Sequence, residues 1–370
     1  MVRRLGAVVA TIVLAEAVAQ GYYAFTTGDV LARRAALPIF EADATRCYRV
    51  RAGLAYRHRT PEFDVTLYTN GEGMRTGAGR PPLGEKRPGV FRVLFLGTSY
   101  AFGWGSEYEQ SYAALVGAGL ARTGREVEIV NLGTPAQPVG SQLCWLREQG
   151  RRVRPDLVIH TVFADTAVIA ASCEADRNCP QVRDGYLVRE GQVPGFVGEL
   201  GKRSALAFYG WYIHHRYLAS GRSRSERAGD LPPDDLKLPD EITDALPARY
   251  NGFVRSVRES VGQPVAVVFV LVPPAFAVHP GDAARWGAIG PWGEVFRSRA
   301  RAAASALEAG GIVFVDATPA LERAAAAGRM FYWLDTHLTP AGNRVVADVL
   351  LSRLSSLADS PGGPASHEGG

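Results

Sequence analysis

The decisive stretch of this sequence is Phe91-Arg92-Val93-Leu94-Phe95-Leu96-Gly97-Thr98-Ser99-Tyr100. A run of β-branched and aromatic residues ends at Gly97, and a serine follows two positions later. The run predicts a buried strand, and the Ser99 hydroxyl then stands at the carboxyl end of that strand. Far downstream, Asp335-Thr336-His337 precedes the start of a predicted helix. Serine first, then aspartate and histidine near the far end, is an order that suits a nucleophile with a distant base and an orienting carboxylate.

Outward from this stretch, strands and helices alternate. The strand candidates are residues 91–97, 127–132, 156–163, 264–272 and 311–315. The helix candidates are residues 109–122, 139–150, 241–261, 293–309, 317–327 and 339–357. The strands are continuous apolar runs, which are expected where a parallel sheet is covered on both faces. We therefore predict a three-layer α/β fold of flavodoxin-like type with a five-stranded parallel sheet.

The predicted topology brings the three polar side chains to one edge of the sheet. A serine after a strand is by itself more often a helix N-cap, and neither Asp335 nor His337 is informative alone. In a doubly wound sheet, however, ligands bind at the carboxyl ends of the strands. Ser99 ends the first strand, and Asp335 and His337 lie in the loop expected after the last one. We therefore predict that they meet at this edge.

The combined motifs resemble the SGNH hydrolases, also called GDSL-type lipases and acylhydrolases, over roughly residues 90–355. Gly97-Thr98-Ser99 is similar to the first block of the family, usually Gly-Asp-Ser. Asn131-Leu132-Gly133 is similar to the second block, whose glycine donates a backbone N–H. Asp335-Thr336-His337 is similar to the last block, with one residue between aspartate and histidine where two are more usual. Upstream, Tyr68–Arg75 resembles membrane-tethered bacterial members linked to surface polysaccharide.

The third block departs from the family. The resemblance places an asparagine of the oxyanion hole ten residues beyond the Pro155-Asp156 pair, and this sequence has Asp165 there. Losing one oxyanion donor costs roughly 2.7–4 kcal/mol of barrier. An ionised carboxylate beside the oxyanion adds a repulsion of about 4 kcal/mol at an effective dielectric near 20. Three alternatives stay open: an inactive site, a protonated Asp165 that donates, or Thr161 or Thr166 in its place.

The resemblance implies the roles of acyl transfer. Ser99 attacks an ester carbonyl, His337 takes and returns the proton, and Asp335 orients His337. The oxyanion hole is expected from the backbone N–H groups of Ser99 and Gly133, with Asp165 at the third position. Neither a cofactor nor a metal is expected, because no Cys or His spacing resembles a metal site.

Aromatic and histidine residues near these motifs are candidate substrate contacts. Trp104 follows the Ser99 segment, and Trp333 precedes Asp335, so their rings are placed to stack on sugars; core or rim packing is the alternative for both. His279 ends the fourth strand near the same edge. His160, inside the third strand, is expected to be a core histidine.

The N-terminus is a candidate targeting segment. Arg3 and Arg4 precede an apolar stretch from Leu5 to Phe25, interrupted by Glu16 and Gln20. A cleaved signal peptide, with Ala17-Val-Ala19 as a small-x-small site, and a single spanning helix both fit. A mid-membrane glutamate costs roughly 2.5–3.5 kcal/mol on insertion scales, which weighs against the anchor. Both interpretations place the bulk of the chain outside the cytoplasm; a buried N-terminal helix is the third alternative.

Cysteines and charge bear on compartment and partners. Cys173 and Cys179 lie six apart in a polar segment, and we expect a disulfide between them in an oxidising compartment. For Cys47 and Cys144 we expect free buried thiols. The length of 370 residues, with 47% hydrophobic residues, predicts one large domain or one domain with appendages. The net charge is +4, and no basic run is dense enough to predict a nucleic-acid partner.

These inferences define an expected organisation: residues 1–25 as signal peptide or anchor, 26–89 as extension and linker, 90–357 as the SGNH-like domain with an insertion at about 172–240, and 358–370 as a disordered tail. The resemblance implies an extracytoplasmic serine esterase or O-acyltransferase acting on ester groups, above all acetyl groups, of a surface carbohydrate. Polysaccharide-export or acetylation machinery is the expected partner. The rival is a degenerate SGNH domain that binds polysaccharide or scaffolds an export complex, and Asp165 favours that rival.

Overall fold

The computed structural model describes residues 2–27, 37–60, 62–163, 169–170, 172–173, 180–183, 185–188, 203–213, 240–282, 292–333 and 335–358. Its N-terminal part contributes one long helix and five short strands: α1 (Val2–Thr27), β1 (Phe40–Asp43), β2 (Cys47–Val50), β3 (Ala55–Arg59), β4 (Asp64–Thr69) and β5 (Arg75–Thr76). β1 and β2 form an antiparallel pair, and β3, β4 and β5 form an antiparallel sheet. The sequence pattern predicts none of these strands, because each is short and most carry charged residues.

The remaining strands are β6 (Phe91–Leu96), β7 (Val127–Asn131), β8 (Leu157–Phe163), β9 (Gln181–Arg183), β10 (Tyr186–Val188), β11 (Ala266–Val272) and β12 (Val313–Asp316). Five of them form one parallel sheet in the order β12-β11-β8-β6-β7, while β9 and β10 pair as a separate antiparallel hairpin. Each of the five lies within two residues of its predicted position. The predicted α/β class with a five-stranded parallel sheet is confirmed.

The helices cover the sheet on both faces. After α1 they are α2 (Ser99–Phe102), α3 (Tyr112–Ala121), α4 (Val139–Val153), α5 (Ala205–Ile213), α6 (Asp240–Val261), α7 (Ala275–Val278), α8 (Trp292–Ala309), α9 (Thr318–Ala324) and α10 (Pro340–Ala358). One apolar core lies between the sheet and α4, α6 and α8, and the other lies between the sheet and α3, α9 and α10. Because both faces are buried, the strands are mostly apolar.

The N-terminal strands pack against the segments that carry Ser99 and Asp335. Their apolar side chains share a third cluster with Phe102, Trp104 and Tyr332, which belong to the segments around Ser99 and Asp335. Residues 80–89 contain no helix or strand, as predicted for a linker. That linker is tied down by Lys86, whose Nζ lies 2.6 Å from a carboxylate oxygen of Asp156.

The appended segments lie largely outside the described residues. Of the predicted insertion at 172–240, the structure describes the β9–β10 hairpin, helix α5 and a few flanking residues. Of the predicted tail, it describes Ala358, which ends α10. In the described part of the chain, one helix is long and apolar enough to cross a membrane, over Arg4–Phe25, with a mean hydropathy of 1.6.

The disulfide prediction is wrong in its pairing. Cys173 is bonded to Cys144 of α4, with the two Cα atoms 4.5 Å apart, and not to Cys179. Cys47 is disulfide-bonded as well, so the expectation of free thiols at Cys47 and Cys144 is also wrong. The reason is tertiary: the chain after β8 returns to α4, which sequence separation does not reveal. Cys179 itself lies outside the described residues.

Candidate active site

The segment after β6 presents the Ser99 hydroxyl. Gly97 has φ +143°, and a Cβ there would lie 2.9 Å from the Cβ of Thr161, so only glycine fits. The Gln142 side chain bonds both backbone groups of Gly97, at 2.8 Å to its N–H and 2.6 Å to its carbonyl. Ser99 then begins the short helix α2. Because β6 is an inner strand beside β8, this turn lies where the connections diverge to opposite faces of the sheet, the usual ligand position in such folds.

The loop between α9 and α10 carries the carboxylate and the imidazole. Phe331 pairs with Leu338, which closes the loop. Thr336, the single residue between Asp335 and His337, has φ +68°. The Tyr100 hydroxyl donates to the Thr336 carbonyl at 3.1 Å. A single residue between Asp335 and His337 therefore suffices to bring their side chains together, because Thr336 takes a left-handed conformation. This conformation costs a non-glycine residue on the order of 1–3 kcal/mol.

Ser99, His337 and Asp335 form a continuous hydrogen-bonded chain. Nε2 of His337 lies 2.7 Å from Oγ of Ser99, and Nδ1 lies 2.6 Å from Oδ1 of Asp335. An ionised carboxylate only accepts, so Nδ1 carries the proton and donates to Asp335. Nε2 is then bare and faces the serine hydroxyl as an acceptor. The arrangement is that of a nucleophile, a general base and a group that orients the base.

Asp335 is held as a carboxylate by its neighbours. Burial by itself raises the pKa of Asp335, but hydrogen bonds from His337 and Trp104 and electrostatic interactions with His337 and His58 outweigh it and leave the pKa below its ordinary value of 3.8. The Trp104 Nε1–H donates to Oδ2 at 3.2 Å. Both carboxylate oxygens therefore accept from N–H donors, and the group stays charged near neutral pH.

The predicted oxyanion donors differ in whether another group of the protein already accepts their hydrogen bond. The backbone N–H of Ser99 donates to no group in the described part of the chain. The N–H of Gly133 donates to Oδ1 of Asn131 at 2.9 Å, so in this conformation it is engaged. The Thr161 hydroxyl is paired with the Tyr112 hydroxyl and is buried, so it is not directed at Ser99. Asp165 and Thr166 lie outside the described residues.

Of the predicted substrate contacts, Trp104 lies beside the triad, and both Trp104 and His279 have structural partners. Trp104 supports Asp335, and its ring centroid lies 5.9 Å from that of His337. His279 Nε2 accepts from the backbone N–H of Met330 at 3.1 Å, so it fixes the start of the loop that carries Asp335 and His337. Burial, more than the charge of Arg329, lowers the pKa of His279. Trp333 is half-buried beside Asp335, and its role as a substrate contact stays a prediction.

His160 is a core histidine, as expected. Its ring packs against Phe253 and Phe269, and burial lowers its pKa to about 3. Its Nδ1 has no hydrogen-bond partner among the described residues. A neutral ring enclosed by apolar groups has no route to the triad, so we assign it no chemistry.

Sequence reasoning missed two residues that shape the site. Tyr100 holds Thr336, and the Glu62 carboxylate accepts from the backbone N–H groups of Trp333 and Asp335. Tyr100 directly follows Ser99, so its position could have drawn attention. Glu62 lies in a segment without periodicity, and no local signal marks it. No cluster of metal-ligating side chains is found in the residues that the structure describes.

The comparisons with known proteins agree with the motifs. Residues 242–367 match the family model of the SGNH hydrolase-like domain, acetyltransferase AlgX. The matched segment is about a third of the chain and includes Asp335 and His337 but not Ser99. No curated protein matches the chain. The resemblance to SGNH hydrolases is confirmed.

Several solved structures are similar at low identity. A carbohydrate acetylesterase from Sinorhizobium meliloti, Est24, is 13% identical over 72% of this chain and 99% of its own, with TM-score 0.37. A catalytic mutant of the acetylxylan esterase Axe2 from Geobacillus stearothermophilus is 13% identical over 73% of this chain and 95% of its own, with TM-score 0.35. A lipase/acylhydrolase from Enterococcus faecalis is 13% identical over 72% of this chain and 96% of its own, with TM-score 0.35. At these TM-scores the likenesses carry no argument.

Proposed function

We propose that this chain is an extracytoplasmic serine esterase or O-acyltransferase that acts on acetyl esters of a surface carbohydrate. The observation that carries the proposal is the hydrogen-bonded chain from Ser99 through His337 to Asp335, with contacts of 2.7 and 2.6 Å. A serine hydroxyl is a weak nucleophile at its free pKa and needs a base at this distance. The Trp104 N–H holds one oxygen of Asp335, and the other oxygen accepts from His337 and keeps that base oriented.

The chemistry follows from these positions. Ser99 Oγ attacks the ester carbonyl carbon while its proton passes to Nε2 of His337, and the negative charge moves to the carbonyl oxygen. The intermediate collapses, the C–O bond to the leaving alcohol breaks, and His337 gives that alcohol the proton. Water or a sugar hydroxyl then attacks the acyl-Ser99 ester and gives its proton to His337, which returns it to Ser99. Water as acceptor yields hydrolysis, and a sugar hydroxyl yields transfer.

The acetyl and carbohydrate parts rest on family likeness. The matching family model is described as an acetyltransferase domain. The stretch Tyr68–Arg75 resembles members linked to surface polysaccharide. The half-buried Trp333 beside Asp335 is suited to contact a sugar ring, because an aromatic face packs against the apolar face of a sugar.

An uncleaved membrane anchor is part of the proposal. Glu16, which interrupts the apolar stretch, accepts from the Ser204 hydroxyl at 2.7 Å and from the Ala205 N–H at 2.8 Å at the start of α5. Gln20 donates to the Arg203 carbonyl at 2.7 Å. Pairing of this kind offsets the roughly 2.5–3.5 kcal/mol cost of a lone mid-membrane charge. Cleavage after Ala19 would remove Glu16 from these contacts, which favours the anchor over the signal peptide.

The test is covalent labelling of the full chain in membranes with a fluorophosphonate, followed by peptide mapping. We expect an adduct on Ser99 in membrane-bound protein that keeps an N-terminal tag. The adduct should be absent in Ser99→Ala and should form at least about a thousandfold more slowly in His337→Ala, because the hydroxyl then lacks its base. Ser260→Ala is the matched control, since that hydroxyl bonds the Ser256 carbonyl on the distant helix α6.

Two results would contradict the proposal. If neither the folded native chain nor the folded Ser260→Ala control takes the label, the esterase proposal is wrong. A labelled chain that begins after Ala19 would leave the esterase standing and remove the anchor.

The second candidate is the degenerate, polysaccharide-binding or scaffolding domain, which the sequence favours through Asp165. The variant Asp165→Asn tests whether Asp165 is the residue that weakens the oxyanion hole. If Asp165 occupies the oxyanion position, the amide adds a donor and removes a charge, and aryl-acetate hydrolysis should rise about a hundredfold. Initial rates with purified full-length chain measure this. An unchanged or lower rate would show that Asp165 does not fill that position.

A further inference from the structure

Glu62 joins the N-terminal strands to the loop that carries Asp335 and His337. It lies in the turn between β3 and β4, far in sequence from the loop. Its Oε1 accepts from the backbone N–H of Trp333 at 2.6 Å, and its Oε2 accepts from that of Asp335 at 2.8 Å. One carboxylate therefore bridges two N–H groups of the loop that precedes His337.

Hydrogen bonds to Thr60 hold the residues on either side of Glu62. The Thr60 hydroxyl accepts from the N–H groups of Glu62 and Phe63 at 3.0 and 3.1 Å, and the Thr60 N–H donates to the Phe63 carbonyl at 2.7 Å. Phe63 is buried and packs against Tyr332, with ring centroids 5.0 Å apart. The position of the carboxylate is thus fixed on both sides, by its own turn and by the loop that it holds.

We propose that Glu62 is a positioning residue for the Ser99–His337–Asp335 triad, and that the N-terminal strands are therefore a built-in part of the active site. This inference rests on the proposed function and deepens it. Glu62 touches neither Ser99 nor the ring of His337; it acts through the backbone of Asp335.

The physical reason is the geometry of the loop. Thr336 is in the left-handed region, so the turn is held by its contacts rather than by its own backbone preference. Hydrogen bonds to a charged carboxylate are roughly twice as strong as neutral ones. Without them, the Asp335 backbone is free to shift, and the 2.6 Å contact to His337 shifts with it. A misplacement of about 1 Å at a reacting group costs about a hundredfold in rate.

The experiment compares Glu62→Gln and Glu62→Ala with Asp64→Asn in the full chain. Asp64 lies two residues away and bonds Arg57 and Arg59 on the exposed side of the same hairpin, so it reports general damage to the hairpin. Glutamine keeps one acceptor oxygen and loses the charge. We expect kcat for an aryl acetate to fall about tenfold in Glu62→Gln and about a hundredfold in Glu62→Ala, with KM unchanged. Asp64→Asn should keep the wild-type kcat.

A second readout does not require activity. Amide hydrogen exchange of the 331–339 segment and the downfield proton resonance of the His337 Nδ1–H report the loop directly. In Glu62→Gln we expect faster exchange at Trp333 and Asp335 and a weakened resonance, with both unchanged in Asp64→Asn. Wild-type exchange and wild-type kcat in Glu62→Ala would overturn the inference. A wild-type chain that neither labels nor hydrolyses would instead end the proposed function, while exchange would still decide whether Glu62 holds the loop.

Discussion

Asp335→Asn is expected to lower kcat of the proposed ester hydrolysis by about four orders of magnitude, while the fold and KM stay close to wild type. The size of the effect comes from the two donors that converge on this carboxylate. Trp104 Nε1 donates to one oxygen at 3.2 Å, and His337 Nδ1 donates to the other at 2.6 Å. The two donors approach different oxygens, and an asparagine has an acceptor oxygen at only one of these positions and a donor NH₂ at the other.

The consequence is a wrong tautomer of His337. If the carbonyl oxygen faces Trp104, the amide NH₂ faces Nδ1, and the imidazole must then accept at Nδ1 and carry its proton on Nε2. That proton points at Ser99 Oγ, which lies 2.7 Å away. A ring that already holds a proton at Nε2 cannot take the proton of Ser99, so nucleophilic attack loses its base.

Removing the competing indole N–H is expected to rescue part of the lost activity. In the double variant Trp104→Phe with Asp335→Asn, no indole N–H competes for the carbonyl oxygen, and the amide is free to turn that oxygen toward Nδ1. We expect the double variant to be about tenfold faster than Asp335→Asn alone, although Trp104→Phe alone is slower than wild type. Pre-steady-state acylation with an aryl acetate measures all four chains. A double variant no faster than Asp335→Asn would contradict the tautomer argument.

The same substitution changes the dependence of stability on pH. The pKa of Asp335 is lowered in the folded chain, so its ionised form stabilises the fold at pH above its ordinary pKa. That contribution is lost as the pH falls through the lowered pKa. The free energy of unfolding should therefore fall less steeply with acid in Asp335→Asn than in wild type, which chemical denaturation at several pH values would show.

Sequence predicts the central sheet well because its signal is local and strong. The parallel strands are mostly apolar, and Ala266–Val272 is apolar throughout; buried strands of this kind have few alternatives. The position of Ser99 follows from topology, since it stands at the carboxyl end of a parallel strand. Asp335 and His337 do not directly follow the last strand as predicted; they reach Ser99 from the loop between α9 and α10.

Other features depend on contacts that sequence does not encode locally. The disulfide between Cys144 and Cys173 joins a helix to a distant segment, and spacing favoured the wrong partner, Cys179. The N-terminal strands are too short and too charged for a periodic signal. Glu62 belongs to them, and its function depends on a loop about 270 residues away, so only the folded chain reveals it.

Arg75→Leu is expected to destabilise the fold by on the order of 4 kcal/mol and to slow labelling of Ser99. The Arg75 guanidinium is fully buried, and desolvation lowers its pKa to about 10, so it remains charged near neutral pH. It donates to the carbonyls of Tyr68, Thr76 and Ser106 at 3.2, 2.9 and 3.1 Å. Leucine leaves these buried acceptors without donors, and each unsatisfied group costs about 1–3 kcal/mol.

The effect on labelling has a local cause that a matched variant separates from stability. Ser106 follows the Ser99 helix, so Arg75 fixes that segment to the N-terminal strands. Arg92 is equally buried but lies at the opposite end of β6, where it bonds the Val153 carbonyl at 2.6 Å and Glu128 at 2.7 Å. We expect Arg92→Leu to lose comparable stability in denaturant unfolding, yet to label Ser99 at the wild-type rate per folded molecule. Arg75→Leu should label about tenfold more slowly. Equal labelling rates in the two variants would mean that Arg75 supports only the fold, and that the serine keeps its position without the N-terminal strands.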